Sequence, residues 1–350
     1  MTGPSLADSF RRLIAATGPI SLAQFMGESN ARYYASRDPL GAAGDFITAP
    51  EISQMFGELV GLWLADIWTR AGTPDRPIYV ELGPGRGTLA SDALRAMKRA
   101  GLEPDVHLVE GSPALRALQQ AAVPNARFHD DLADIPQDRP LLLAANEFLD
   151  ALPIRQLVMT AAGWREVEVA VDDTGGFVLA AGSRPMDAAV PEERREAEEG
   201  TLIEVSPASA AVVSEVAMRL ARQGGAALLI DYGHAHIRAG STLQAVRAHQ
   251  KVDPLALPGE ADLTAHVDFA TLAEVAGAAG ARWMGTVAQG AWLRAMGLEA
   301  RAEVLARAAP AHRDAIGRAV DRLAGNDQMG TLFKVMGLAA PGWPDGAGFS

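Results

Sequence analysis

The sequence contains no cysteine, which excludes disulfides, thiolate nucleophiles and Cys-ligated metal sites together. It also has no apolar run of membrane-spanning length, and its first twenty residues lack the long apolar core of a signal peptide. These absences fit a reducing compartment. We therefore expect an intracellular protein without membrane insertion, and we favour a bacterial cytoplasm over the mitochondrial matrix.

Positive charge is also scarce. The chain has 31 Lys and Arg against 43 Asp and Glu, a net charge of −12, so attraction to the phosphates of nucleic acids is not expected. Apolar residues make up 49% and charged residues 21%, which is ordinary for a globular protein. With 350 residues the chain is long enough for two domains or one elaborated domain, and its oligomeric state stays open.

Short apolar runs alternate with helical segments from residue 78 onward. The runs are "IYVEL", "VHLVE", "ARFHD" and "PLLLAANEF", and "AALLIDYG" continues the series. This alternation is typical of a parallel, doubly wound sheet. Upstream, "EISQMFGELVGLWLADIWTRAG" has one apolar helix face, ended by Gly72 and Pro74. The sequence therefore predicts an α/β fold.

Other segments depart from this alternation. Residues 154 to 182 predict strands joined by tight turns, and the last hundred residues predict helices closed by one strand, "TLFKVMGLA". The loop "YYASRDPLGAAGDFITAP" is interpreted as a lid. We divide the chain into a helical segment with the lid loop (1–75), a core (76–153 and 201–350) and an antiparallel insertion (154–200).

The stretch "ELGPGRGT" places three glycines, Gly83, Gly85 and Gly87, between the first strand and the next helix. Glycine permits a tight turn and a close approach of a ligand to the backbone. The spacing is G-x-G-x-G, and Thr88 stands where the dinucleotide pattern G-x-G-x-x-G has its third glycine. The spacing therefore argues against NAD.

Carboxylates follow the next two strands. Glu110 ends the second strand, where a carboxylate can accept hydrogen bonds from a ribose diol above the glycine turn. Asp130 and Asp131 in "FHDDL" end the third, within reach of an adenine edge. Because no Walker sequence or basic cluster accompanies the turn, the set indicates an adenosine without a phosphate clamp.

The fourth strand ends in "ANEFLDALPIRQ", which brings together Asn146, Glu147 and Asp150. Each could simply cap the following turn, an interpretation we favour for Asp150 taken alone. As a group at the same sheet edge, two carboxylates and an amide are suited to binding and orienting a cationic or polar nucleophile.

Six blocks in order carry a family resemblance: "GDFITAPEISQMFGE", "ELGPGRGT", "NEFLDALPIRQ", "EVSPAS", "LLIDYG" and "DLTAHVDF". Together they resemble the MidA family of class I S-adenosylmethionine-dependent methyltransferases, from about residue 20 to the C-terminus. Mitochondrial members of that family are complex I assembly factors that dimethylate an arginine of a complex I subunit. The resemblance implies a Rossmann-like class I sheet with a helical cap, S-adenosylmethionine as cofactor and a protein substrate.

The resemblance also implies roles for residues. The glycines would pass close to the methionine part of the cofactor, Glu110 would hold the ribose, and Asp131 or its neighbour would lie near the adenine. Glu147, with Asp150 or with Asp45 of the cap, would clamp the target arginine, and His266 is a further candidate. The full predicted cofactor set is Glu81, Gly83, Pro84, Gly85, Gly87, Glu110, Asp130, Asp131 and Asn146.

One segment departs from the family pattern, because "STLQAVRAHQ" has Gln244 and Val246 where the family is associated with Arg and Tyr. The protein target can therefore differ from the mitochondrial one. His234 and His236 in "DYGHAH" have a possible metal-ligand spacing, but such pairs in a strand-end loop usually bind no metal, and we predict none. Asp268 can be a helix N-cap.

Two alternatives stay open at this point. One is a non-catalytic assembly factor that holds a client in the same crevice, and its expected feature would be loss of the acceptor carboxylates. The other is a nicotinamide-dependent oxidoreductase, which the glycine spacing disfavours.

Overall fold

The structure is a computed structural model that describes residues 5–36, 47–247 and 249–349. The chain forms two compact units, each assembled from three stretches of sequence. The hairpin unit comprises Met1–Arg37, Asp150–Ala211 and Ile237–His266. The central-sheet unit comprises Asp38–Leu149, Val212–His236 and Val267–Ser350.

The helices of the described ranges follow the predicted segments closely. Ser53, for example, accepts a hydrogen bond from the Met55 amide at the start of the apolar helix, which ends at Arg70 just before Gly72. In chain order the helices are α1 (Leu6–Thr17), α2 (Leu22–Ser36), α3 (Ala49–Ile52), α4 (Gln54–Arg70), α5 (Thr88–Arg99), α6 (Pro113–Ala122), α7 (Pro207–Gln223), α8 (Phe269–Ala278), α9 (Gln289–Ala295), α10 (Leu298–Ala308), α11 (Arg313–Ala324) and α12 (Met329–Leu332).

Strands are present in both units. In chain order they are β1 (Ile20–Ser21), β2 (Ile78–Leu82), β3 (Asp105–Val109), β4 (Arg127–His129), β5 (Leu141–Asn146), β6 (Arg155–Thr160), β7 (Gly163–Val171), β8 (Phe177–Pro185), β9 (Leu202–Val205), β10 (Gly225–His234), β11 (Gln244–Arg247), β12 (Gln250–Val252), β13 (Asp262–Thr264), β14 (Val267–Asp268), β15 (Arg282–Ala288) and β16 (Phe333–Ala339).

The central-sheet unit is built on one mixed, mostly parallel sheet. Its strand order is β15-β16-β10-β5-β2-β3-β4, and β14 pairs with the end of β10. The strands from β10 to β4 run parallel, whereas β16 is antiparallel to both β10 and β15. From β2 the chain builds outward to β3 and β4, then returns to β5 on the other side of β2. The carboxyl ends of β2 and β5 therefore flank the switch point where ligands bind in such sheets.

The core of this unit explains its apolar sequence runs. All five residues of β2 and all six of β5 are buried, as expected for strands covered on both faces. Helix α4 packs tightly against α5: a Cβ on Gly61 would lie 2.3 Å from the Ala93 carbonyl oxygen, so only glycine fits there. The aromatic stripe of α4 is core, with Trp63 fully buried.

The hairpin unit contains the predicted antiparallel insertion. Strands β6, β7 and β8 form two successive hairpins, β9 pairs with β6, and the N-terminal β1 pairs with β7. A separate small sheet has the order β12-β11-β13. Stacked Phe10 and Phe25, with ring centroids 4.9 Å apart, lie in the core, and Phe177 contacts both rings edge-on.

The predicted organisation needs two corrections. Residues 33–36, predicted as the start of the lid loop, belong to helix α2. The last hundred residues are not helical up to the final strand, because Arg282–Ala288 forms β15 at the edge of the central sheet. Most of the predicted lid loop, 37–46, lies outside the described residues, and the divisions at 75, 153 and 200 stay predictions. In the ranges that the structure describes, no helix combines the length and apolar character needed to cross a membrane.

Candidate active site

The glycine turn adopts a backbone conformation that side chains disfavour. Gly83, Gly85 and Gly87 have φ angles of +61°, +56° and +82°, in the left-handed region. The Gly87 amide donates to the Pro84 carbonyl at 2.7 Å, which closes the turn. A Cβ on Gly83 would lie 2.8 Å from Cδ2 of Phe148. The turn after β5 therefore packs directly on the glycine turn.

Glu110, directly after β3, is held at two positions. Its Oε1 accepts from the Ser112 amide at 2.8 Å, and its Oε2 accepts from Nε2 of Gln119 at 3.1 Å. The same Nε2 donates to the Gly85 carbonyl at 2.7 Å. Burial raises the pKa of the Glu110 carboxyl, and these donors oppose that shift. Sequence reasoning did not find Gln119, because one polar residue on an amphipathic helix gives no signal of its own.

Glu81 lies inside the sheet, on the fourth residue of β2. Its side chain is 2% exposed, and the Tyr79 hydroxyl, two residues earlier on the same face of the strand, donates to it at 2.6 Å. Desolvation raises the pKa of the Glu81 carboxyl to about 8. At neutral pH this group is therefore mostly a neutral acid, with an O–H donor of its own.

The two aspartates after β4 have different surroundings. Asp130 pairs with Arg116 at 2.5 Å, and its side chain is 84% exposed. Asp131 caps a short 3-10 turn by accepting from the Ala133 amide at 2.7 Å. Both have local structural partners, and their assignment to an adenine stays a prediction.

Glu147 has a backbone φ of +51°, which is unusual for a residue with a long side chain. Its Oε1 accepts from the Ala49 amide at 3.0 Å and from Nδ2 of Asn146 at 3.1 Å. Oδ1 of Asn146 is buried, and within the described part of the chain it accepts no hydrogen bond. Backbone strain of this kind persists only where neighbouring groups hold it, and it concentrates at functional sites.

Asp231, on β10, holds the same turn from the next strand. Its Oδ2 accepts from the amides of Phe148 and Leu149, at 3.2 and 3.0 Å, and the residue is 1% exposed. The block "LLIDYG" contained this aspartate, but sequence reasoning gave it no part in the site. The available signal was an acid in an otherwise apolar buried strand.

Glu51, on α3, is a second residue that sequence reasoning missed. It accepts from the Thr88 hydroxyl at 2.5 Å and lies 3.9 Å from the Arg86 guanidinium. Because the Ala49 amide at the start of α3 donates to Glu147, this short helix contacts the first residue of α5 on one side and the Glu147 carboxylate on the other.

Three predicted site residues remain. Asp45 lies outside the described residues. Asp150 and His266 belong to the hairpin unit, where Asp150 is buried and its carbonyl accepts from the Ala265 amide at 3.0 Å. The His266 amide donates to the Thr242 hydroxyl at 2.9 Å. Catalytic roles for all three stay predictions.

The histidine pair and Asp268 have structural partners. Nδ1 of His234 lies 2.8 Å from the carbonyl oxygen of His236, and 3.7 Å from Oδ1 of Asp268. Asp268 accepts from the Thr271 amide at 3.2 Å, so the predicted N-cap of α8 is confirmed. In the part of the chain that the structure describes, no group of three or more His, Cys, Asp or Glu is arranged to hold a metal ion.

The strand order, with its antiparallel β16, and the glycine turn after β2 define the fold of a class I methyltransferase. Residues 59–287 match the family described as "Putative S-adenosyl-L-methionine-dependent methyltransferase". The chain belongs to this family, the MidA family of S-adenosylmethionine-dependent methyltransferases, and S-adenosylmethionine is its cofactor. The nicotinamide alternative is therefore dropped.

Individual relatives cover nearly the whole chain. The "Protein arginine methyltransferase NDUFAF7 homolog, mitochondrial" of Drosophila melanogaster is 38% identical over 95% of this chain and 84% of its own. The rat "Protein arginine methyltransferase NDUFAF7, mitochondrial" is 38% identical over 93% and 82%. A crystal structure of a "likely methyl transferase" from Burkholderia thailandensis, bound to S-adenosyl-homocysteine, is 32% identical over 98% of this chain and 95% of its own, with a TM-score of 0.85.

Proposed function

We propose that this chain methylates an arginine side chain of a protein client, and that a respiratory complex I subunit is one such client. The observation that carries the proposal is the fixed carboxylate of Glu147 at the end of β5. The next residue, Phe148, packs on the glycine turn, so acceptor and donor functions would meet at the switch point of one sheet. The names of the relatives support arginine as the acceptor.

The residues of the turn fit S-adenosylmethionine, which supplies an activated methyl group when bound. The left-handed glycines leave the backbone open to close approach. Glu110 accepts from protein donors on both oxygens, but a carboxylate offers about four acceptor positions, so it retains capacity for a ribose diol. Glu81, Pro84, Asp130, Asp131 and Asn146 complete the proposed set.

Glu147 would act on the acceptor. A guanidinium is protonated at neutral pH, so it must be oriented and must lose a proton as its nitrogen is methylated. A carboxylate does both by accepting hydrogen bonds from the planar guanidinium. The Ala49 and Asn146 donors fix one oxygen of Glu147 before any substrate arrives, which lowers the cost of ordering it. We keep Asp45, Asp150 and His266 as further proposed catalytic residues.

The variant Glu147→Gln tests the proposal. It keeps the shape of the side chain but removes the charge and the proton acceptor, so methyl transfer should fall by roughly 100-fold or more. The affinity for S-adenosylhomocysteine should change less than about threefold, because Glu147 is not itself among the proposed cofactor contacts. Transfer is measured with methyl-labelled S-adenosylmethionine and extracts of cells that lack this protein, followed by mass spectrometry of labelled arginine.

Glu103→Gln is the matched control, because Glu103 is an exposed carboxylate of the same unit that pairs with Lys98. This variant should leave both methyl transfer and the affinity for S-adenosylhomocysteine unchanged. Full transfer by Glu147→Gln would contradict the assignment of Glu147. A wild-type protein that binds S-adenosylhomocysteine but labels no arginine would favour the assembly-factor alternative. The predicted cytoplasmic location stays a prediction, since the Burkholderia structure is bacterial and the curated relatives are named mitochondrial.

A further inference from the structure

We propose that Gln119 is a positioning residue that sets the selectivity of the cofactor pocket for an intact ribose diol; this inference rests on the proposed role of Glu110. Gln119 lies on α6 and is fully buried. Its amide nitrogen bridges the two structures that define the pocket, the Gly85 carbonyl at 2.7 Å and Oε2 of Glu110 at 3.1 Å.

The bridge requires α6 to lie very close to the glycine turn. A Cβ on Gly87 would meet Cβ of Ala122 at 3.2 Å and Cα of Gln119 at 3.4 Å. The missing side chain of Gly87 therefore allows α6 to approach the turn this closely, and the same glycine permits the left-handed conformation of the turn. From this position a glutamine side chain reaches both acceptors.

The orientation of the amide follows from its neighbours. Both partners of Nε2 are acceptors, so the opposite orientation would place Oε1 against a carbonyl and a carboxylate. In the observed orientation Oε1 is buried and accepts no hydrogen bond from the residues that the structure describes. An unsatisfied buried acceptor destabilises a fold. The benefit of a glutamine at this position therefore lies in its donor, which satisfies the Gly85 carbonyl and also has a function at Glu110.

That function is to fix the rotation of the Glu110 carboxylate. The Ser112 amide holds Oε1 and Gln119 holds Oε2, so the plane of the carboxylate is set from both sides. The remaining lone pairs of the carboxylate then point in defined directions. The 2′ and 3′ hydroxyls of a ribose can each donate a hydrogen bond to one of its oxygens. Without Gln119 the carboxylate could turn to serve either hydroxyl alone, and loss of one hydroxyl would cost the ligand little.

The experiment compares 5′-methylthioadenosine with its 2′-deoxy analogue by calorimetric titration. The wild type should prefer the intact ribose by roughly tenfold or more, the usual effect of a hydrogen bond to a charged group. Gln119→Leu should reduce this preference to about threefold or less. Gln119→Met serves as a second variant if the branched side chain impairs folding. Gln120→Leu is the control, because Gln120 is the exposed neighbour on α6 and donates to the Pro124 carbonyl.

The ratio separates positioning from a merely structural role. A general loosening of the pocket would weaken both ligands equally and leave the ratio unchanged, which would overturn the inference. A collapsed ratio in folded Gln119 variants, while Gln120→Leu keeps the wild-type ratio, supports it, and loss of all binding by a folded Gln119 variant would also overturn it. S-adenosylhomocysteine is titrated into the wild type in parallel, and failure of that ligand to bind would overturn the proposed function itself.

Discussion

The neutral, buried carboxyl group of Glu81 should make the central-sheet unit less stable as pH rises. In the unfolded chain this group titrates near its ordinary pKa of 4.5, whereas in the folded state desolvation raises the pKa to about 8. Between these values the unfolded chain has released the proton and the folded protein still holds it. Because the unfolded state binds fewer protons in this window, the free energy of unfolding falls with rising pH.

The size of the effect follows from the two pKa values. Each proton linked to unfolding changes stability by about 1.4 kcal/mol per pH unit, so the two pKa values give a loss of about 3.5 kcal/mol between pH 5 and pH 8. Glu81→Gln stays neutral at every pH and keeps an oxygen to accept from the Tyr79 hydroxyl. The stability of the variant relative to the wild type should therefore rise by that amount across the same range.

Urea unfolding followed by tryptophan fluorescence at several pH values measures this difference. Trp63 and Trp292 are fully buried in the same unit and report its unfolding. Glu103→Gln, at an exposed carboxylate, should show no such trend. Tyr79→Phe should extend the fall to higher pH, because the hydroxyl it removes lowers the pKa of Glu81. A stability difference between Glu81→Gln and the wild type that stays constant from pH 5 to pH 8 would refute the reasoning.

Two further predictions concern buried charges. Asp231→Ala removes the acceptor of the Phe148 and Leu149 amides, so we expect a loss of about 1–3 kcal/mol in urea unfolding. Labelled methyl transfer should also fall more than S-adenosylhomocysteine affinity, and an equal fall of both would argue against a role in holding the turn. Arg301→Met deprives the buried Glu58 of a two-pronged partner at 2.7 and 2.9 Å, and should cost about 3 kcal/mol. Replacing Glu58 by Met as well should restore most of that stability, and a double variant no better than the single one would contradict this account.

The sequence predicted the parallel half of the central sheet well, because its strands are continuous apolar runs buried on both faces. It failed at β15. That strand has one partner, the antiparallel β16, and its register shifts between Trp283 and Gly285. Gly285 and Thr286 interrupt its apolar residues, and Trp283 is 49% exposed, so the strand lacks the continuous buried apolar run of its neighbours. Pairing with a segment about fifty residues later in the chain leaves no local pattern.

Part of the candidate site was likewise predictable from the sequence, and part was not. The glycine turn and the acids at strand ends were predictable, since a turn with positive φ needs glycine and parallel strands present their carboxyl ends together. Gln119 and Glu51 were not. Their roles arise from how closely α6 and α3 approach the turn, which depends on tertiary packing. The strain at Glu147 was also hidden, because it is imposed by its neighbours rather than by its residue type.

Helix α3, only four residues long, contacts one residue from each half of the proposed site. Ala49 at its start contacts the acceptor carboxylate, and Glu51 contacts Thr88 beside the cofactor turn. A ligand that immobilises α3 from one side spares the other ligand part of that ordering cost. Thermodynamic linkage makes this help mutual, so client and cofactor should each tighten the binding of the other by the same factor. Because loss of the first product would weaken the binding of the second, this coupling predicts that the two products leave one after the other.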